Sequence, residues 1–193
     1  SVSGGNPNLT TESSDSTSVG MVWEPLDNWS MALDYYLINV EDKIGSLTTQ
    51  EILNNESLYP QLVNRVNGQL SSPQAFVASN SQNLNEENGE GIDFSTQANF
   101  EFDTGSIFVD LRMAYLLKHE RQTSAVQPLC DDKGTTSEPE WRVNGQVGWQ
   151  AEKWTANMTF RYLGETTDLV GGREDGQCNV DPNGRERPVD SYL

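Results

Sequence analysis

Residue types that could carry out catalysis are few and scattered in this chain. The single histidine, His119, has no serine or cysteine beside it in a nucleophile motif, so the sequence forms no hydrolase-type constellation. Gly171, Gly172 and Gly176 lack the strand and helix that frame a phosphate-binding loop, and we interpret them as loop glycines. We therefore expect no enzyme and interpret His119 as a bystander.

Metal ligands are equally sparse. One acidic stretch could supply oxygen ligands to calcium, but its spacing is not that of an EF-hand. Its residues are Asp168, Glu174, Asp175, Asp181 and Asn183. One histidine and two cysteines without CxxC spacing argue against zinc. We expect neither a metal nor a cofactor.

The two cysteines are Cys130 and Cys178. An even pair in an otherwise cysteine-free sequence favours a disulfide formed in an oxidising compartment. Two buried or free thiols are the alternative. A bridge would tether two long connections of the fold, which is a structural role.

The charge of the chain is strongly negative. Its 193 residues include 29 acidic and 12 basic side chains, for a formal net charge of -17. Nucleic acid attracts clustered Lys and Arg, so this composition argues against a nucleic-acid partner. Solvated loops are the simplest source of the acidity, and a vestibule that attracts cations is the alternative.

Strict alternation of apolar and polar residues reveals the elements that must position these side chains. Between residues 92 and 102 the even positions are Ile, Phe, Thr, Ala, Phe and Phe, whereas the odd positions are Asp, Ser, Gln, Asn and Glu. The segments that alternate are residues 16–24, 29–38, 92–102, 106–117, 141–150 and 153–163. We predict six antiparallel strands.

The connections between these strands alternate in length. Residues 25–28, 103–105 and 151–152 are short turns containing Asp, Asn, Gly or Glu, whereas residues 39–91, 118–140 and those from 164 onward are long connections. Tight turns on one side and long loops on the other are typical of an outer-membrane β-barrel, with the tight turns in the periplasm.

The first long connection contains one predicted helix. Residues 46–55 have a polar start, an early acidic residue and Asn at the end, which predicts a short surface helix. Residues 71–73 and 79–90 are polar and bear Pro or Gly, so we predict them to be irregular.

Aromatic residues form two rims on the apolar face. Those beside the short turns are Trp23, Trp29, Phe100, Phe102, Trp149 and Trp154, and those toward the long loops are Tyr35, Tyr115, Trp141 and Tyr162. Such rims match the aromatic girdles at the two bilayer interfaces. A mean hydropathy of -0.62 is compatible with this, because a barrel strand of about 9 to 11 residues is apolar on one face only.

Short motifs along the chain resemble those of the TonB-dependent receptors. The first, residues 5–16, resembles a G-N-P-x-L-x-x-E-x-S entry into a late barrel strand. The hairpin that follows, with its D-Y-Y at residues 34–36, is also similar. Further similarities are Gly91-Ile92-Asp93-Phe94, Tyr115-Leu116-Leu117-Lys118, Arg161-Tyr162-Leu163-Gly164 and Asp190-Ser191-Tyr192-Leu193.

The resemblance implies an all-β, antiparallel up-and-down transmembrane β-barrel. It implies that residues 1–193 are a fragment of about six strands from a 22-stranded plugged barrel, within a single barrel domain. We expect the plug domain, the TonB-contacting box and the terminal strands to be absent from this sequence. Partners would be outer-membrane lipid, the plug and, through the plug, the TonB complex.

The polar face of the predicted strands holds the candidate ligand-binding residues. Asp110, Arg112, Arg142 and Arg161 could form a charged ladder across neighbouring strands. The simpler interpretation is that such interior charges pair with one another or with the plug.

Two functional hypotheses follow. The first is an uptake receptor in the outer membrane of a Gram-negative bacterium, whose long loops capture a siderophore, cobalamin, saccharide or peptide. The second is a secreted β-sandwich binding module or adhesin, in which the apolar face packs on a second sheet. The first accounts for the aromatic rims, and the second predicts solubility without detergent.

Overall fold

The computed structural model describes residues 1–122, 128–169 and 186–191. These residues form mainly β-strands. The strands are β1 (Val2–Gly4), β2 (Ser13–Leu26), β3 (Trp29–Ser46), β4 (Val63–Asn64), β5 (Phe76–Phe102), β6 (Gly105–Arg121), β7 (Cys130–Asp131), β8 (Trp141–Gln150), β9 (Thr155–Leu163), β10 (Thr166–Leu169) and β11 (Glu186–Val189). The α-helix α1 spans Thr49–Asn54, and a 3₁₀ turn spans Pro60–Leu62.

Six long strands form one antiparallel sheet in the order β2-β3-β5-β6-β8-β9. Each of these strands pairs with the next long strand along the chain, so the topology is up and down. The six predicted strands are confirmed. The barrel is not closed, because β2 and β9 each have one neighbour within the described residues.

The pairing register joins the apolar sides of all six strands into one surface. One row runs through consecutive register partners from β2 to β9: Met21, Leu33, Phe94, Met113, Val143 and Tyr162. Many side chains of this surface are exposed, including Val19 at 68%, Met158 at 64% and Met21 at 63%. Because a register slip of one residue would mix the two faces, this continuity fixes the pairing.

Short turns close one edge of the sheet. Asp27 and Asn28 connect β2 to β3, and Asp103 and Thr104 connect β5 to β6. Gly105 has a φ of +144°, and a side chain there would collide with the carbonyl oxygen of Gln150. The turn between β8 and β9 takes four residues, rather than the two predicted, and the Ala151 amide donates to the Trp154 carbonyl oxygen at 2.8 Å.

The first long connection is more regular than predicted. The prediction that residues 79–90 are irregular is wrong, because β3 extends to Ser46 and pairs with β5 up to Ser81. Residues 85–90 of β5 include no apolar side chain, so this part of the strand has no alternation to reveal it. Backbone pairing and cross-strand contacts stabilise it instead.

The buried apolar core lies in the loop at the end of this extension. The loop unit, residues 47–78, buries Leu47, Ile52, Tyr59, Leu62 and Val77 against one another. Helix α1 confirms the predicted helix. Its N-cap Thr48 accepts a hydrogen bond from the Glu51 amide, and the Glu51 carboxylate accepts one from the Thr48 amide, which forms a capping box.

The N-terminal segment fastens the same extension. Strand β1 pairs in parallel with β5, with Val2 opposite Ala78. Asn83 then bonds twice with the backbone of Thr10, through Oδ1 at 2.9 Å and Nδ2 at 3.0 Å. The N-terminal segment is therefore fixed to β5 at residues 78–80 and at Asn83.

Candidate functional site on the polar face

The predicted residues Arg112 and Arg161 lie in one row of the polar face. Arg112 on β6 is the register partner of Asn144 on β8, which is in turn the partner of Arg161 on β9. Arg161 Nε donates to Asn144 Oδ1 at 3.1 Å. The structure thus places Asn144 between the two arginines, a residue that the alternation pattern alone did not single out.

Asp110 pairs with Arg112 on its own strand. Its Oδ1 lies 3.2 Å from Arg112 Nε, and its Oδ2 accepts a hydrogen bond from Gln97 Nε2 at 3.0 Å. Residues two apart on a strand share a face, which explains the contact. The pair is local and does not extend into a strand-to-strand ladder.

Arg142 turns toward the loop that precedes β8. Its Nη2 lies 3.1 Å from Glu138 Oε2 and 3.5 Å from the Ser137 carbonyl oxygen. Its register partner on β6 is the small residue Ala114. The four predicted residues therefore share one face without forming a single charged ladder.

Two carboxylates complete this region, and sequence reasoning had not placed them in the site. Asp34 and Asp93 are register partners on β3 and β5. Asp34 lies across Gly20, where a Cβ would collide with its Oδ1. The alternation predicted that both face the polar side, but only the register shows that they lie side by side.

A cavity of about 310 Å³ opens between the carboxylates and the arginines. It is lined by Asp34, Asp93, Phe94, Ser95, Arg112, Met113, Ala114, Arg142 and Asn144. Its acidic residues lie on β3 and β5, and its arginines lie on β6 and β8. Ser95 and Ala114 contribute small side chains to the lining.

His119 belongs to an ion-pair cluster on the strand extension. Its Nε2 lies 3.4 Å from Glu87 Oε1, and Glu87 also contacts the Lys43 ammonium through its other oxygen. The hydrogen bond from Lys43 is the main cause that lowers the pKa of Glu87. Thus His119 links β6 to β5 and, through Glu87 and Lys43, to β3, which is a structural contact.

The remaining candidate residues are the two cysteines and the possible calcium ligands, which lie near the ends of the described ranges or outside them. Cys130 is buried and is disulfide-bonded. Cys178 lies outside the described residues, so its bridge to Cys130 stays a prediction. Of the calcium candidates, Asp168 lies on β10, whereas Glu174, Asp175, Asp181 and Asn183 lie outside the described residues. Within the described ranges no group of His, Cys, Asp and Glu has the arrangement of a metal site.

The sheet and its two faces define a class of protein. No helix in the described part of the chain is long and apolar enough to cross a membrane. An up-and-down sheet with a continuous, uncovered apolar surface opposite a polar one is the wall of an outer-membrane β-barrel. Within residues 1–122, 128–169 and 186–191 no second sheet covers the apolar surface, so the β-sandwich alternative is not supported.

A family model identifies the family to which the chain belongs. Residues 1–193 match the family model described as TonB dependent receptor-like, beta-barrel. The chain belongs to this family of outer-membrane transport proteins, which confirms the resemblance seen in its motifs. No curated protein and no solved structure matches the chain.

Proposed function

We propose that this chain forms part of the pore wall and the ligand-capturing outer loops of a nutrient-uptake receptor in a Gram-negative outer membrane. The observation that carries the proposal is the uncovered apolar surface, which runs across six strands and is bounded by aromatic residues. Water penalises such a surface, whereas acyl chains accept it. The family match over the whole chain supports transport rather than catalysis.

The pore wall needs further strands and an interior filling. Among the described residues β2 and β9 keep one unpaired edge each, and lipid does not tolerate unpaired backbone. We propose that residues 1–193 belong to a single barrel domain whose other strands, and a plug that contacts TonB, lie elsewhere in the same protein. Energy coupling would then pass through the plug.

Ligand capture is assigned to the ordered outer loops. The loop unit has its own buried core, and β1 pairs with residues 78–80 at its end, so it presents a defined surface. Ordered loops lose less conformational entropy on binding than mobile ones. The proposed ligand is a siderophore, cobalamin, a saccharide or a peptide.

An epitope-accessibility experiment tests this topology. Asn67 and Gly68 form a turn with φ values of +53° and +76° in the loop unit, and Asp103 and Thr104 form the opposite turn between β5 and β6. An epitope inserted at Asn67-Gly68 should bind antibody on intact cells. The same epitope at Asp103-Thr104 should bind only after the outer membrane is permeabilised. Equal labelling of both positions on intact cells would contradict the proposal.

A further inference from the structure

We propose that the cavity between Asp34, Asp93, Arg112 and Arg142 binds a short zwitterionic peptide. Its ammonium group would bind the two carboxylates, and its carboxylate would bind the two guanidinium groups. The inference rests on the proposed uptake function and names the ligand class for the pore wall.

The acidic half of the cavity favours a cation. Asp34 and Asp93 are directly opposite each other on adjacent strands, where like charges repel. In the described part of the chain no side chain forms a hydrogen bond or an ion pair with either carboxylate. A primary ammonium placed between them has three donors and relieves the repulsion.

The basic half retains free donors. A guanidinium has five N–H donors. Asp110 engages Nε and Nη2 of Arg112, whereas Glu138 and Ser137 engage Nη2 of Arg142. The described residues leave Nη1 of both arginines available, and Asn144 beside them can also donate to a carboxylate.

The spacing of the two halves matches a dipeptide. Asp93 and Arg142 lie in one row with Ala114 between them, so their Cα atoms are two strand spacings, roughly 9 to 10 Å, apart. Two extended residues span about 7 Å, and the charged side chains cover the remaining distance. Because Ala114 and Ser95 are small, they leave room for the peptide backbone.

Charge balance distinguishes a zwitterion from simpler ions. A polyanion would be repelled by the chain, whose formal net charge is -17, as well as by the two carboxylates. A polycation would be repelled by Arg112 and Arg142. A ligand with one charge of each sign at its two ends satisfies both halves of the cavity.

Calorimetric titration of the purified full receptor in detergent tests the site, with alanyl-alanine as the probe. N-acetylation removes the ammonium of the probe, and C-terminal amidation removes its carboxylate. We expect each modification to weaken binding at least tenfold. Unmodified, blocked and amidated probes that all bind equally, or a dipeptide that does not bind at all, would overturn the proposal.

Matched variants assign each end of the dipeptide to its residues. In the Asp34→Asn/Asp93→Asn variant, N-acetylation should cause little further loss, whereas amidation should still weaken binding. In Arg142→Gln the order should reverse. Glu101→Gln, on the same face outside the cavity, is the control and should bind like the parent, and Asp93→Glu should retain binding. Variants that leave both probe effects unchanged would overturn the assignment.

The epitope experiment separates this site from the wider proposal. One outcome is that the epitope at Asn67-Gly68 is external and the one at Asp103-Thr104 is periplasmic, but alanyl-alanine does not bind. In that case only the zwitterion site is wrong. If the epitopes show no such topology, then the pore-wall assignment itself is wrong.

Discussion

The sheet and the loop unit place the same kinds of residue in opposite surroundings. In the loop unit Ile52 and Leu47 are 0% and 1% exposed, whereas on the sheet Met158 and Met21 are 64% and 63% exposed. The loop unit is organised like a small water-soluble domain, and the sheet is organised for lipid. Apolar side chains therefore point away from water in both regions, but the region that excludes water is protein in one and membrane in the other.

The largest effect is expected inside the loop unit. Ile52→Asp places an unpaired charge in its core and should destabilise the unit by more than about 4 kcal/mol. Hydrogen exchange should show loss of protection in α1 and β4 while β8 and β9 stay protected. Leu58→Asp is the matched control, because Leu58 is 61% exposed in the same loop and should change little. Loss of protection throughout the sheet would show that the two regions are not separate.

The next effect is expected on the lipid surface. Leu111 lies midway between the two rims on β6, and Leu111→Arg should reduce folding stability in vesicles by about 2 to 4 kcal/mol. Gln146→Arg introduces the same charge on the polar face beside Asp110 and should be tolerated. Denaturant titration of the two variants measures the difference. An equal loss in both would remove the distinction between the faces.

A smaller effect is expected at the helix cap. Thr48→Ala removes the side-chain half of the capping box and should destabilise the loop unit by about 1 kcal/mol. Thr48→Ser keeps the oxygen and should restore most of the stability. Hydrogen exchange at α1 measures both. If alanine and serine behaved alike, the cap would not contribute.

The smallest effect is a pH dependence confined to the loop unit. Arg65 binds both carboxylate oxygens of Glu56, at 2.8 and 2.6 Å, and this hydrogen bonding lowers the pKa of Glu56. A lowered pKa stabilises the folded unit above the ordinary value of 4.5, and this contribution is lost as the pH falls through the lower folded value. Glu56→Gln should flatten the change in exchange protection of the unit below pH 4.5. A slope unchanged in this variant would exclude the pair as its source.

Periodicity predicted the sheet well but not its outer extension. Alternation predicted all six strands because one face of each strand is apolar and meets lipid. Phe94 on β5 and Leu111 on β6 are examples of residues on that face. Residues 85–90 of β5 have no apolar side chain on either face, so the sequence shows no alternation where they pair with β3. The core of the loop unit was missed for a related reason, since Leu47, Tyr59 and Val77 follow no single period.

The candidate site was likewise predicted only in part from the sequence. Alternation correctly assigned Asp110, Arg112, Arg142 and Arg161 to the polar face. It could not show which neighbours they would meet, because contacts such as Arg161 with Asn144 depend on the register between strands. Asp34 and Asp93 became site residues only once that register placed them side by side.

A nitroxide scan of β6 tests the central claim most directly. Single labels at residues 107–117 in vesicle-reconstituted receptor would report collision rates with oxygen, which concentrates in lipid, and with a water-soluble nickel complex. We predict oxygen maxima at Ile107, Val109, Leu111, Met113 and Tyr115, and nickel access or burial against the interior at the positions between them. Oxygen maxima at the even positions, or no alternation at all, would contradict a wall whose apolar side faces the bilayer.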